Sequence, residues 1–596
     1  MRVPSLQYLY LQKPITTIVI IAAIAVLPWL GPDDFHTKGE PREAAVAVSM
    51  LQSGNWALPK VYADEVAYKP PMAHWLMAIF SLPEGKVSEW SARLPSAIAY
   101  IILAGASLFF FGRRLRMQPA FIAALILITC FEVHRWGLAA RVDMLSAMFI
   151  VLALFTLYRW EELGEIKGLP VTIPLLLGCA TLAKGPVGLV LPILVFGIYL
   201  LTLRKYPSLV VIKALAYAGI SGAFIPALWY VAAWKQGGSE FISLILAENF
   251  GRFLHIENPA LSYDLGHRNG IWYHPVMLLA GLLPWSLLCI FALFGKNLRK
   301  YARACASSPL SILRNLRRRV MKLDKVRLFS LIALVVIIIF YSIPSSKRSV
   351  YILPAYPFAA LLLADSFLRI SFHRRKVSQV FVAVVGILGA ITFGIVAAML
   401  AGFRPADILG DRLGQSSLHD LNLLQQSLAQ PAVGTILVLL LGGIAIGTLI
   451  YQAVRRNNLK ALYASALLTF ALNLLIDGVI MRSIRNGNSS RPFAQHIMGA
   501  YPLSNQNTFV MNNPRQYRNL YGLNFYMNNI FQNFARSQAA EGYLLIGSRD
   551  ASVALPQYAA SHRFILLETS SRISELGQPI NLYKFQKNNQ PPPAIQ

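Results

Sequence analysis

The residues of this chain best suited to chemistry stand in short polar segments between long apolar ones. Glu40, Arg42 and Glu43 open one such segment, and Lys69 comes later in it, immediately before Pro70-Pro71. Arg141 and Asp143 stand where an apolar run begins, and Lys184 lies in the turn Ala183-Lys184-Gly185-Pro186. Glu248, Arg252, His255, His267 and Arg268 share a later segment flanked by Trp272 and Tyr273, and Lys347, Arg348 and Tyr351 share another. If these segments meet at one depth, Lys69, Arg252, Lys347 and Arg348 would gather around Glu40, Asp143 and Glu248. Grouped cations suit a lipid-linked phosphate whose charge grows as a bond to it breaks. A carboxylate among them suits deprotonation of an acceptor hydroxyl, or alignment of the basic groups.

Taken singly, each of these residues also has a plainer role. Glu40 and Arg42 fit a solvated helix start, Lys69 an interfacial anchor, and Arg141 with Asp143 a local ion pair at a span end. Trp272 and Tyr273 suit an interfacial aromatic belt. His255 and His267 lack the repeated spacing of a metal site. No metal ligand set and no required cofactor is therefore expected, a divalent ion being unsupported by spacing.

The elements that must position these residues are set by composition. Hydrophobic residues make up 56% of the chain and charged ones 14%, far from the roughly one quarter charged of a soluble domain. Apolar runs of transmembrane length recur, and the count is about 13. They fall near 15–31, 90–112, 118–134, 142–159, 170–183, 186–203, 208–234, 274–295, 328–345, 350–368, 377–402, 432–454 and 459–480. The net charge of +28 does not point to nucleic acid, because the basic residues cluster in short loops such as Arg113-Arg114-Leu115-Arg116. That is the signature of cytoplasmic loops. With the N-terminus inside, every strong basic cluster is cytoplasmic and an odd number of spans puts the tail outside. Cys130, Cys179 and Cys289 lie in apolar runs and Cys305 in a basic loop, so no disulfide framework is implied.

The expected organisation is a transmembrane unit over 1–480, with a first outer loop at 32–89 and a second at 236–273. In the first loop, Ala44, Val48 and Leu51 recur at helical spacing and suit a helix along the interface. A second apolar stretch, 72–82, is too short to span. After residue 480 the composition turns to Asn, Gln, Ser and Tyr, with strand-like runs at 508–511, 543–546, 564–567 and 581–585. This predicts a small extracytoplasmic α/β domain over 481–587 and a disordered tail, 588–596.

With these motifs in hand, the chain resembles the polyprenyl-phosphate-sugar glycosyltransferases of GT-C fold, and among them the lipid A aminoarabinose transferases (glycosyltransferase family 83), related to the protein O-mannosyltransferases (family 39). The resemblance is carried by Gly39-Glu40-Pro41-Arg42-Glu43-Ala44, Tyr68-Lys69-Pro70-Pro71, Arg141-Val142-Asp143-Met144 and Ala183-Lys184-Gly185-Pro186. It continues through Glu248-Asn249-Phe250-Gly251-Arg252-Phe253, Gly281-Leu282-Leu283-Pro284-Trp285 and Ser346-Lys347-Arg348-Ser349-Val350-Tyr351.

It implies a polytopic α-helical fold with interface-parallel loop helices and functional roles for Glu40, Arg42, Lys69 and Asp143, with Tyr351 on the donor phosphate. In this expectation Glu40, Asp143 and Lys69 are catalytic. Arg42, Arg252, Lys347, Arg348 and Tyr351 bind the donor phosphate, while Glu248, His255 and His267 belong to the acceptor side or the loop. The implied partners are a polyprenyl-phosphate-linked sugar, a lipid A, glycan or protein acceptor, and membrane lipids; no nucleic acid is implied, and a monomer is expected. The implied location is the cell inner membrane, with the active site and C-terminal domain periplasmic. The chain departs from the family's usual pattern at two positions: Gly39 stands where relatives usually carry Asp, and Tyr68 where they usually carry an acid. A rival from another class is a lipid flippase or transporter, but those place charges near the bilayer midplane in repeated halves, and neither feature is visible here.

Overall fold

In a computed structural model of the chain the apolar runs are helices, as required of backbone with no water to bond. The structure describes residues 12–35, 39–62, 65–67, 69–248, 268–293, 320, 322–344, 346–511, 519–537, 539–570 and 577–588. Among these residues, eight helices are long and apolar enough to cross a membrane: Glu89–Gly112, Val142–Gly164, Ser208–Leu246, Lys325–Ser342, Ser349–His373, Arg375–Leu400, Val433–Val454 and Asn458–Ala500. Two further apolar pairs are bent, Met117–Thr129 with Phe131–Gly137 by 63° and Tyr273–Gly281 with Trp285–Ala292 by 111°. Shorter apolar helices at Pro14–Trp29, Thr172–Lys184 and Val187–Leu203 complete the set.

These segments coincide one for one with the apolar stretches read from the sequence, but besides the pair bent by 111° three are less regular than expected. Extended backbone at Cys130 (φ −71°, ψ 142°) breaks the first bent pair. Gly238, at φ 57°, kinks the helix that begins at Ser208, a conformation open to glycine and costly for other residues. The last span continues through a π-helical stretch, Ile476–Met481, so the chain leaves the bundle still helical.

The elements that build the outer face are helices α1 (Gly39–Ser53), α2 (Met72–Ser81), α3 (Glu89–Gly112), α4 (Val142–Gly164) and α5 (Thr172–Lys184), then α6 (Arg491–Ala500) and α7 (Tyr521–Tyr526). A short antiparallel pair, β1 (Lys60–Val61) and β2 (Glu65–Val66), links α1 to α2. Helix α1 starts where Pro41 sits in the first turn, where its missing N–H is no loss, and Glu40 favours the positive helix end. Ser88 caps α3 through a capping box with Ser91.

Helix α1 is not a surface helix with one wet face. Ala44 through Met50 are all buried, because α2 covers one side and Phe525 of α7 packs on another.

The residues after the last span form a five-stranded mixed sheet in the order β4-β3-β5-β7-β6. The strands are β3 (Thr508–Val510), β4 (Gln532–Asn533), β5 (Glu541–Gly547), β6 (His562–Thr569) and β7 (Ile580–Lys587). Four occupy the strand-like runs read from the sequence. The fifth, β4, is a two-residue strand of Gln and Asn with no hydrophobic pattern to reveal it, parallel to β3.

This sheet domain shares its core with the first outer loop. Tyr62 is buried in the same cluster as Val510, Leu520 and Leu545, and its hydroxyl accepts a hydrogen bond from the Leu520 N–H at 2.9 Å. Gln52 donates to the carbonyl of Asn528 at 2.9 Å. Arg491 of α6 pairs with Asp34 at 2.7 Å and with Glu89 at 2.5 Å.

Beneath this seam lies Arg93 of α3, only 1% exposed. Its Nε donates to Glu40 at 2.9 Å, and its Nη1 to the carbonyls of Leu30 and Asp33, each at 2.8 Å. Nη1 also reaches the Asp33 carboxylate at 3.0 Å, whose other oxygen is held by Arg485 at 2.6 Å. Removing one partner of such a group strands buried charge. Arg93→Ala should therefore lower stability by about 3–5 kcal/mol, read as a fall in the melting temperature of the detergent-purified protein. Arg93→Lys should rescue little of it, since a point charge cannot span the same acceptors.

Candidate active site

Two ion clusters face each other where the first outer loop meets the ends of α4 and α5. The first is built on Glu43, one turn into α1, whose side chain is 2% exposed. Its Oε1 accepts from Lys69 Nζ, and from Arg42 Nη2 at 3.3 Å. Its Oε2 lies 2.8 Å from Nε2 of His74 on α2. Pro70-Pro71 sets the stretch that delivers Lys69, and α2 begins immediately after it. The cations lie outermost, Lys69 being 25% and Arg42 32% exposed. His74 is sealed, and its Nδ1 has no hydrogen-bond partner among the described residues.

The second cluster is built on Asp143, in the first turn of α4. Lys184, at the C-terminus of α5, reaches its Oδ1 at 2.6 Å, and Arg141 Nε lies 3.7 Å from Oδ2. The Lys184 ammonium also sits 4.4 Å from the centre of the Tyr351 ring, in cation–π geometry. Arg141 joins the two clusters. Its guanidinium fills the space beside Gly39, where a Cβ would collide with it. The space beside position 39 is thus taken by a cation.

Four cations, Arg42, Lys69, Arg141 and Lys184, therefore surround two carboxylates, Glu43 and Asp143. The excess positive charge is visible in the titration of the loop groups. Burial, together with the Arg42 and Arg141 charges, pushes Lys69 down to about 7 despite its carboxylate partner. Burial alone would raise Glu43, but Lys69, the His74 hydrogen bond and Arg42 outweigh it and hold the carboxyl well below the usual range. A site like this gains by taking up an anion.

Several of the expected residues have protein partners in the structure. Glu40, expected among the catalytic residues, is engaged on both oxygens. Oε1 accepts from Arg93 Nε and, at 3.0 Å, from the Ala140 N–H; Oε2 accepts from Arg93 Nη2 at 3.3 Å. Burial would raise its pKa, but Arg93 lowers it overall, so it is a fixed anionic strut between the loop and the turn before α4. Lys347, expected on the donor phosphate, is 4% exposed and donates to the Asn269 carbonyl at 2.8 Å. The Arg348 carbonyl lies 3.2 Å from His274 Nε2. These bonds tie the end of the second loop to the segment that carries Tyr351.

Glu248 is partly buried at the end of its helix. Arg252, His255 and His267 lie outside the described residues. Among the described residues no group of three or more His, Cys, Asp or Glu is placed to hold a metal ion. Sequence reasoning gave no role to Glu43, His74, Lys184 or Arg93. A lone Arg inside the start of an apolar run was the available signal for Arg93; for His74 there was none.

Against this geometry, comparison with known proteins is informative. Residues 68–231, the stretch that carries Lys69, Asp143 and Lys184, match the family model described as dolichyl-phosphate-mannose-protein mannosyltransferase. Over its whole length the chain shares its architecture with the crystal structure of ArnT from Cupriavidus metallidurans bound to undecaprenyl phosphate, with a TM-score of 0.65, 17% identity, and coverage of 95% of this chain and 97% of that one. The chain is thus a polytopic membrane protein of GT-C fold.

Within that class it is similar to the undecaprenyl phosphate-α-4-amino-4-deoxy-L-arabinose arabinosyl transferase of Erwinia tasmaniensis, at 25% identity over 60% of this chain and 59% of the relative. An uncharacterized protein of Aquifex aeolicus is 28% identical over 65% of this chain and 70% of its own. The match thus spans less than two thirds of the Erwinia transferase.

The titration of Lys69 generates a prediction. With its pKa near 7 in the folded chain, against an ordinary 10.5, the unfolded chain holds more protons between those values, so stability contributed at this position rises with pH across that window. The melting temperature of the wild type relative to Lys69→Met should accordingly increase from pH 7 to pH 9.5.

Proposed function

We propose that this chain is a glycosyltransferase that moves one sugar from a polyprenyl (undecaprenyl) phosphate carrier to lipid A or a related envelope glycolipid. The observation that carries the reading is the ring of four cations around Glu43 and Asp143, preformed at the mouth of a membrane bundle. The fold shared with an undecaprenyl-phosphate-bound protein supports the choice of carrier, and the named relatives support an aminopentose as the sugar. The basic loops support a site on the periplasmic side of the inner membrane, and the chain is taken to act as a monomer.

In this reaction an acceptor oxygen forms a bond to the anomeric carbon as the bond from that carbon to the phosphate oxygen breaks. The electron pair leaves with the carrier, so the phosphate gains a full charge. Lys69 and Arg42, the outward cations of the first cluster, take that growing charge. Asp143, fixed by Lys184 and Arg141, orients the acceptor side. A phosphate acceptor is already ionised and requires no base, whereas a hydroxyl must lose its proton to one. The match to a protein mannosyltransferase model favours, as a second reading, a Ser or Thr hydroxyl of a protein.

Lys69→Ala should cut turnover on a synthetic undecaprenyl-phosphate sugar by about 10²–10³ while leaving the protein folded, and Asp143→Asn should also be severely impaired. Mass spectrometry of lipid A and of surface glycoproteins from a deletion strain separates the acceptors. Loss of a sugar from lipid A supports the first reading, and loss from protein alone supports the second.

A further inference from the structure

Glu43 occupies an unusual position for a carboxylate in a site that binds phosphate. It lies behind its cations, 2% exposed, while Lys69 and Arg42 stand in front of it and reach solvent. The same ammonium that would hold a lipid phosphate is already hydrogen-bonded to Glu43 Oε1. The carboxylate cannot turn away, because Oε2 is pinned by His74 from the neighbouring helix. It is therefore a permanent competitor for Lys69.

We infer that Glu43 is the built-in counter-ion that Lys69 exchanges for the carrier phosphate, and that its recapture of Lys69 releases the spent polyprenyl phosphate. The inference rests on the proposed reading of the site as a carrier-phosphate site. The donor phosphodiester carries one negative charge and takes only part of the lysine's hydrogen bonding from Glu43. As the carbon–oxygen bond breaks, the phosphate gains charge and draws Lys69 fully onto itself. The interaction is thus strengthened in the transition state more than in the ground state, the condition for raising kcat. Once the sugar has left, the carboxylate behind the lysine competes with the dianionic product. Release steps of this kind often set turnover. Glu43 is a positioning residue in this account and touches no substrate.

The test measures binding of undecaprenyl phosphate to the detergent-purified chain by calorimetry, alongside kcat, KM and product inhibition. Glu43→Gln keeps the shape and a hydrogen bond to His74 but removes the competing charge. It should tighten undecaprenyl phosphate binding by about ten- to a hundredfold, the range of one charged hydrogen bond. The same variant should lower kcat and strengthen product inhibition in parallel. On a Lys69→Ala background Glu43→Gln should tighten binding far less, through Arg42 alone. Glu43→Asp, one methylene shorter, should shift binding in the same direction by less, and serves if the Gln variant does not fold. Weaker or unchanged binding in a folded variant would make Glu43 a structural anchor and overturn the inference alone. If wild type and Lys69→Ala bind the lipid phosphate equally, or neither binds it, the reading of the site itself falls and the exchange falls with it.

Discussion

The packing of the first long loop against the spans it joins depends on one buried guanidinium. Arg93 sits at the start of a span, out of water, and gathers the Leu30 and Asp33 carbonyls together with the carboxylates of Asp33 and Glu40. The planar fork of arginine is suited to several acceptors at once. Through it the end of the first span, the first outer loop and the second span are held in one arrangement. Glu40 extends the arrangement to the Ala140 N–H, next to the turn that presents Arg141 and Asp143. The site residues are thus supported by a charge that takes no part in the chemistry.

The apolar architecture was legible in the sequence because transmembrane length and composition leave the backbone no alternative to helix. Lys69, Asp143 and Lys184 were visible as isolated charges beside apolar runs. What remained hidden was pairing. Residue 43 lies 26 and 31 positions from residues 69 and 74, and nothing in that spacing shows that one carboxylate serves both a lysine and a histidine. Glu40 and Lys347 were singled out as charges in the segments between apolar runs. Their partners, Arg93 and the Asn269 carbonyl, lie 53 and 78 residues away, and only the fold identifies them.

Position 39 carries no side chain, and the Arg141 guanidinium occupies the space beside it. The carboxylate facing Lys69 is Glu43, on the next turn of the same helix. The cations Arg42, Lys69, Arg141 and Lys184 thus outnumber the carboxylates Glu43 and Asp143 in this pocket, and Glu43 lies behind the lysine it pairs with.

The shared core between the first outer loop and the sheet domain has a consequence for how the protein is made. Tyr62 meets Leu520 across a sequence separation of 458 residues, and Phe35 meets the Tyr526 hydroxyl across 491. At synthesis rates of roughly 5–20 residues per second, the loop waits on the order of half a minute to a minute and a half for its partner to emerge. During that interval α1 has an apolar face with nothing to cover it but lipid or a chaperone. A chain stalled or cleaved before the sheet domain would have all its spans and yet lack the packing that shapes its pocket. The packing around the pocket is complete only once residues 520–526 have been made, so its final shape waits on a segment far along the chain.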